Sequence, residues 1–199
     1  ATTNTGLGLA AKDDLDVRQS RRLDVKNPKQ ASVIELLLEA AKRNDVAIVR
    51  SLVLDSYISP DSIDGKGWTA VLRAAKSASL KVLHFLLGCK ANADAQTAEG
   101  NTALHKAAKR NRPEVAKMLI SHRANVNLTN KGGVTPLMLA AMRSPLNAIF
   151  EALLEANANV DAQKDVGYSA LMLAARTGNA HAVRELLHAK ATPELRDNR

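Results

Sequence analysis

An eleven-residue phrase occurs four times in this chain of 199 residues, and it constrains the fold more than any other feature. The copies read GWTAVLRAAKS, GNTALHKAAKR, GVTPLMLAAMR and GYSALMLAART, and they begin at Gly67, Gly100, Gly133 and Gly167. Successive copies therefore start 33 or 34 residues apart. Similarity at such a fixed period is the signature of a linear array, in which each unit buries its apolar face against its neighbours.

Each phrase predicts a short helix with one apolar face. An aliphatic residue stands two positions after the Thr or Ser, and a pair of alanines follows three and four positions later. Apolar residues at this spacing share one side of a helix. The hydroxyl residue lies between a glycine turn and the helix, where its oxygen can accept a hydrogen bond from an amide of the first turn. The phrase thus contains a turn, a cap and an inner helix.

A second apolar stripe follows each phrase after a short turn, and it predicts an outer helix. Asn111 or Gly178 permits a left-handed backbone in two of these turns. The stripes comprise Val82, Leu83, Leu86 and Leu87; Val115, Met118 and Leu119; Ile149, Leu153 and Leu154; and Val183, Leu186 and Leu187. The sequence therefore predicts an all-α fold made of helix-turn-helix units.

Helix, turn, helix and a loop such as ANADAQTAEG, with T-A-L or T-P-L opening the next unit, resembles the ankyrin repeat. The resemblance covers residues 33–199 and implies a solenoid of five stacked units with hairpin-like loops, at about 31–63, 64–96, 97–129, 130–163 and 164–199. The family usually carries a histidine shortly after the threonine, which ties neighbouring units by hydrogen bonds. Only His105 keeps it here, because the other three phrases have Leu72, Met138 and Met172.

The two ends of the chain differ from the internal units. The first unit keeps Ala40 and Ala41, but Glu35 replaces the threonine and no glycine turn precedes it, so we expect an amino-terminal cap. Residues 1–30 are polar and carry both charge signs, which fits either a disordered segment or a short capping helix. The last outer helix is as apolar as an internal one, which favours a fragment of a longer protein.

Composition and motifs argue against catalysis and metal binding. Cys89 is the only cysteine, and no C-x-x-C or H-E-x-x-H spacing occurs, so we expect no structural zinc and an intracellular, cytoplasmic or nuclear location. No window has the eighteen or so apolar residues that a membrane span needs. The remaining histidines fall on or just after outer helices, where a solvated or packing role is expected. We predict no enzymatic activity and no cofactor.

Stacked repeats form an extended concave surface, and its lining can be read from the sequence. In proteins that resemble this one, contacts come from the residue before the threonine, from the loop tips and from the two residues after the alanine pair. The ten positions after the five alanine pairs include no acid. The predicted partner-binding residues are Lys42, Arg43, Lys66, Trp68, Lys76, Asn101, Lys109, Arg110, Lys131, Val134, Arg143, Tyr168 and Arg176.

These residues predict a monomeric interaction module or scaffold that binds an acidic protein or peptide along its concave groove. Cations in the last turn of a helix also complement its carbonyl pole, which offers a purely structural reason for some of them. The net charge of +8 leaves nucleic acid as an alternative ligand, although the few aromatic residues limit base stacking. The repeats could also be a regulatory or targeting segment of a larger enzyme.

Overall fold

The computed structural model of the protein describes residues 28–56, 58–143 and 148–197. Over these ranges the chain forms ten α-helices, which alternate between an inner and an outer row. The all-α prediction is therefore confirmed. The predicted amino-terminal segment, residues 1–30, lies outside the described residues except for the backbone of residues 28–30.

Five consecutive helix pairs make up the described structure. The inner helices are α1 (Pro28–Arg43), α3 (Ala70–Ser77), α5 (Ala103–Arg110), α7 (Pro136–Ala141) and α9 (Ala170–Arg176). The outer helices are α2 (Val46–Arg50), α4 (Leu80–Gly88), α6 (Pro113–Ser121), α8 (Ala148–Glu155) and α10 (Ala180–His188). Each inner helix contacts the inner helix of the next pair, and α2, α4, α6 and α8 contact one another in the same order. The pairs thus stack in chain order.

The hydroxyl residue of each phrase caps an inner helix, as predicted. Its side-chain oxygen accepts a hydrogen bond from the backbone N–H three residues later in all four phrases, at Thr69, Thr102, Thr135 and Ser169. The alanine pairs are buried where neighbouring inner helices meet. Ala175 is the exception, and it is exposed because the described part has no later inner helix to pack against α9.

Hairpin-like loops connect the pairs, and the second one illustrates their geometry. The Thr97 N–H donates to the Asn101 carbonyl oxygen at 3.0 Å, and the Gly100 N–H donates to the Thr97 carbonyl oxygen at 2.8 Å. Gly100 has φ +79°, a conformation that glycine adopts without strain. The turns between inner and outer helices are left-handed at Asn111 and Gly178, as expected.

A ladder of aspartate and asparagine side chains joins the loops that follow the outer helices. Each side-chain oxygen accepts a backbone N–H of the next unit at 2.7 to 2.8 Å. The acceptors are Asp61, Asp94, Asn127 and Asp161, and the donors are Asn92, Asn125, Asn159 and Thr192. The recurring Asn-x-Asp and Asn-x-Asn spacing was the sequence signal for this ladder, and the motif analysis did not use it.

The first pair differs from the others at both of its helices. Helix α1 has 16 residues and begins at Pro28, before the predicted start of the first unit at residue 31. No glycine turn or hydroxyl cap interrupts it, so nothing in the sequence ends the helix at the usual position. Helix α2 continues directly into a π-helical segment, Ser51–Asp55, in which Leu52 and Val53 are half-buried.

Candidate partner-binding groove

The carboxyl ends of the inner helices bring the predicted basic residues to one side of the stack. We call this surface the inner groove, and it consists of the residue before each cap, the loop tips and the two positions after each alanine pair. Lys76 is half-buried. The other basic members after the alanine pairs are exposed, namely Lys42, Arg43, Lys109, Arg110, Arg143 and Arg176.

Three of these cations already have partners within the chain. Glu39 pairs with the Lys42 amine at 3.1 Å and with the Arg43 guanidinium at 2.9 Å. These two hydrogen bonds hold the pKa of the Glu39 carboxyl below its usual value. Arg143 donates to the Lys109 carbonyl oxygen at 2.6 Å, so it satisfies the end of helix α5. These cations therefore have a structural role in addition to any role in binding.

The loop tips carry exposed Lys66 and Lys131 next to acidic residues that shape the loops. The Asp64 carboxylate accepts the backbone N–H of Lys66 at 2.8 Å and that of Trp68 at 2.9 Å. Glu99 accepts the Thr97 hydroxyl, and this hydrogen bond is the main reason that the pKa of Glu99 is lowered. The Asp64 and Glu99 carboxylates thus accept hydrogen bonds within their own hairpin loops.

Trp68 is half-buried, and its ring lies against three cations. The Arg73 guanidinium carbon is 4.6 Å from the ring centroid, the Lys106 amine is 4.9 Å away and the Lys76 amine is 5.0 Å away. These distances are in the range of cation–π attraction. We call these four residues the tryptophan station. Trp68 holds cations of two neighbouring units in place and does not offer a free ring to a ligand.

The motif analysis missed Arg73 and Lys106. Both stand four residues after the hydroxyl of their phrase, on the groove side of an inner helix, and this register could have revealed them. Arg73 also forms an ion pair with Asp64 at 3.1 Å. Lys106 lies beyond ion-pair distance of every carboxylate in the described ranges, although Glu99 is near enough to raise its pKa.

The pKa of Lys106 is lowered on balance, and burial of its amine is the main cause. The charges of Lys109, Lys76 and Arg110 lower it further. Within the described residues, no carboxylate lies within 4.0 Å of any of these four side chains. An anion bound among these four cationic side chains would reduce the electrostatic repulsion between them, which no carboxylate at ion-pair distance offsets in the described part of the chain.

Tyr168 repeats the arrangement at the other end of the stack. The Lys164 amine lies 5.3 Å from the centroid of its ring, and the Arg176 guanidinium carbon lies 5.5 Å from it. We call these three residues the tyrosine station. The two intermediate positions have structural contacts, because Asn101 accepts a hydrogen bond from the Asn130 amide at 3.2 Å and the Val134 carbonyl contacts His105.

A family model described as ankyrin repeats, three copies, matches residues 37–130 and 122–197. The chain belongs to the ankyrin-repeat family. Ankyrin repeats are generally protein–protein interaction modules, typically without enzymatic activity, and proteins that contain them are commonly intracellular. A search of curated proteins found no match.

Among the described helices of this ankyrin-repeat chain, none combines the length and the apolar character required to cross a bilayer. Over the same residues, His, Cys, Asp and Glu side chains do not group in threes that could hold a metal ion.

Of the four phrases, only the second keeps the family's histidine, which is His105, and its side chain joins two units. Its Nδ1 accepts the Thr102 backbone N–H at 3.2 Å, and its Nε2 lies 2.8 Å from the Val134 carbonyl oxygen. Since Nδ1 accepts, Nε2 carries the proton and donates to that carbonyl, which defines the neutral tautomer. Burial lowers the pKa of His105 more than the bond to Val134 raises it.

We expect His105 to make stability depend on pH. The neutral ring is favoured in the folded state, so its contribution is complete above the unfolded pKa of about 6.5 and is lost as the pH falls through the lower folded value. His105→Met, which copies Met138 and Met172, should remove this component. Urea unfolding between pH 7.5 and pH 5 measures it, and equal pH slopes for the variant and the parent would contradict the assignment.

Proposed function

We propose that this ankyrin-repeat domain binds an acidic segment of a partner protein along the inner groove. The observation that carries the proposal is that Lys76 and Lys106, from two neighbouring units, both lie within 5.0 Å of the Trp68 ring centroid. Lys109 and Arg110 follow Lys106 by one turn of the same helix, and no carboxylate of the described part of the chain lies at ion-pair distance from these four side chains. Such a cluster attracts an acidic partner and raises its association rate, and salt screens this effect over about 8 Å at physiological ionic strength.

Stabilisation of helix ends accounts for only part of the cluster. Lys109 and Arg110 lie in the last turn of α5, where a cation interacts favourably with the helix dipole. Lys76 likewise lies in the last turn of α3, but Lys106 lies in the middle of α5, too far from the end for this effect. The position of Lys106 is better accounted for by an anionic ligand.

A protein partner is favoured over nucleic acid by the state of the aromatic rings. Sequence-tolerant binding of single strands uses free aromatic faces on which bases stack. The Trp68 and Tyr168 rings are instead covered by cations of the chain itself. We propose further that the domain acts as a monomer in the cytoplasm or nucleus, where it would be a scaffold or a targeting segment of a larger protein.

Charge reversal at Lys109 and Arg110 tests the proposal. The Lys109→Glu/Arg110→Glu variant should bind a fluorescein-labelled glutamate-rich peptide about ten-fold more weakly than the parent, because the groove then repels the probe. Its melting temperature should change little, since both side chains are exposed and neither forms an ion pair in the described structure. Fluorescence anisotropy and a thermal melt provide the two readouts.

The matched control reverses two cations of the outer helices, Lys81→Glu and Lys117→Glu, and keeps the same net charge. This variant should bind the peptide like the parent. If both pairs of substitutions weaken peptide binding equally, the affinity depends on net charge alone and the proposed binding site in the groove is wrong. A charge-matched oligothymidine that binds the parent more tightly than the peptide would favour nucleic acid instead.

A further inference from the structure

The tryptophan station lies at the first of the four phrases and includes Lys106 of the second, the tyrosine station lies at the fourth, and the surface between them is different. Three positions can be compared in each phrase, namely the residue before the hydroxyl and the residues four and seven positions after it, although Leu173 at the second of these positions in the last phrase is buried. In the third of the four phrases these positions hold Val134, Leu139 and Met142. Val134 and Leu139 are half-buried, and Met142 is exposed. The groove therefore has an apolar section between two cationic sections.

The distance between the stations follows from the stacking of the inner helices. Trp68 precedes α3 and Tyr168 precedes α9, and the contacts run from α3 to α5, from α5 to α7 and from α7 to α9. Packed helices lie about 8 to 10 Å apart, so three steps place the stations roughly 24 to 30 Å from each other. An extended peptide covers this distance with about eight residues, since each residue advances it by about 3.3 Å.

We infer that the partner segment carries two acidic clusters about eight residues apart, with apolar side chains between them. One cluster lies against Lys76 and Lys106 at the tryptophan station, and the other lies against Lys164 and Arg176 at the tyrosine station. This inference rests on the proposed function, and it adds the spacing and the order of the chemical groups that the partner must present.

Each station presents cations that are already ordered on an aromatic ring. Long basic side chains lose conformational freedom when they bind, and this entropy cost is smaller if packing has fixed them beforehand. Two such stations on one rigid stack let a single peptide bind at both ends. The second contact is then intramolecular, and its effective concentration depends on whether the spacer can reach.

Three synthetic peptides of equal length test the spacing. The first has two glutamate pairs separated by six residues that include two leucines, the second has the same composition with the four glutamates adjacent, and the third replaces the leucines of the first with serine. The first should bind the chain about ten-fold more tightly than the second, because only its clusters span the two stations. It should also bind more tightly than the third, because its leucines reach the apolar section.

Variants of each station locate the effect. Lys76→Gln/Lys106→Gln and Lys164→Gln/Arg176→Gln should each remove the advantage of the spaced peptide over the adjacent one. Lys81→Gln/Lys117→Gln on the outer helices should retain it at the same net charge. Circular dichroism melts identify any variant that has lost its fold, and in that case the single substitution Lys76→Gln or Arg176→Gln replaces it.

The outcomes separate this inference from the proposed function. If the spaced and adjacent peptides bind equally and both prefer the parent to the Lys109→Glu/Arg110→Glu variant, the groove binds acidic segments but the two-station arrangement is wrong. If none of the three peptides binds, both the inference and the proposed function are wrong. A ten-fold preference that either station variant abolishes would support the inference.

Discussion

Replacement of Leu104 by alanine should lower the free energy of unfolding by about 2 to 5 kcal/mol. Leu104 is 1% exposed, and it belongs to helix α5, which contacts both α3 and α7. The substitution removes apolar surface from two unit boundaries and leaves a cavity that the tight packing around the alanine pairs cannot close. Leu137, which is 0% exposed in the next unit, should behave in the same way.

The matched control is Leu187→Ala in the outer helix of the last pair. Leu187 is 45% exposed, so the same chemical change should cost much less stability. Urea unfolding monitored by circular dichroism measures all three variants. A Leu104→Ala midpoint that equals the midpoint of Leu187→Ala would contradict the claim that the units depend on burial at their shared boundaries.

Gly133→Ala should cost about 3 kcal/mol or more, which is the second large effect that we expect. Gly133 has φ +69°, and a β-carbon on it would lie 2.7 Å from an Asp165 carboxylate oxygen and 2.9 Å from the Asp165 backbone nitrogen. The second contact is with backbone and cannot be relieved by a rotamer change. The variant therefore forces the third hairpin loop away from the fourth.

Gly178 provides a control that separates strain from contact. Its φ is also +69°, but a β-carbon there would meet no atom within 4 Å. Gly178→Ala should thus show only the cost of the left-handed backbone, about 1 kcal/mol. The difference between the two variants measures the close approach of the loops. Equal losses of stability would show that the hairpins are not packed as described.

The period and the register of the phrase made most of the fold predictable. A hydroxyl cap after a glycine, an aliphatic residue and an alanine pair each act within one unit, so local rules are sufficient to place the inner helices. The start of α1 at Pro28 was not predicted, because that helix lacks the cap and the glycine turn that mark the others. Contacts between units, such as the hydrogen bond that the Asn125 N–H donates to the Asp94 carboxylate, depend on stacking geometry as well as on the recurring Asn-x-Asp and Asn-x-Asn spacing.

The lining of the groove was only partly predictable, for a related reason. Position within the phrase identified Lys109 and Arg110, which project from the last turn of an inner helix. Arg73 and Lys106 share one register, four residues after the hydroxyl, but only the packing of neighbouring units places Lys106 beside Trp68 of the preceding unit. Trp68 was predicted as a partner-binding residue, whereas the structure surrounds its ring with cations of the chain. The assignment of this surface to binding remains our proposal.

The emission of Trp68 tests the central claim most directly, because it is the only tryptophan of the chain and lies within the proposed site. Titration with the spaced glutamate peptide should change the emission saturably, because carboxylates bound to the Lys76 and Lys106 amines change the electric field at the indole ring that these amines contact. The change should weaken as salt is raised, and a lysine peptide of equal length should produce none. An acidic peptide that binds by anisotropy but leaves the emission unchanged would contradict binding at the tryptophan station.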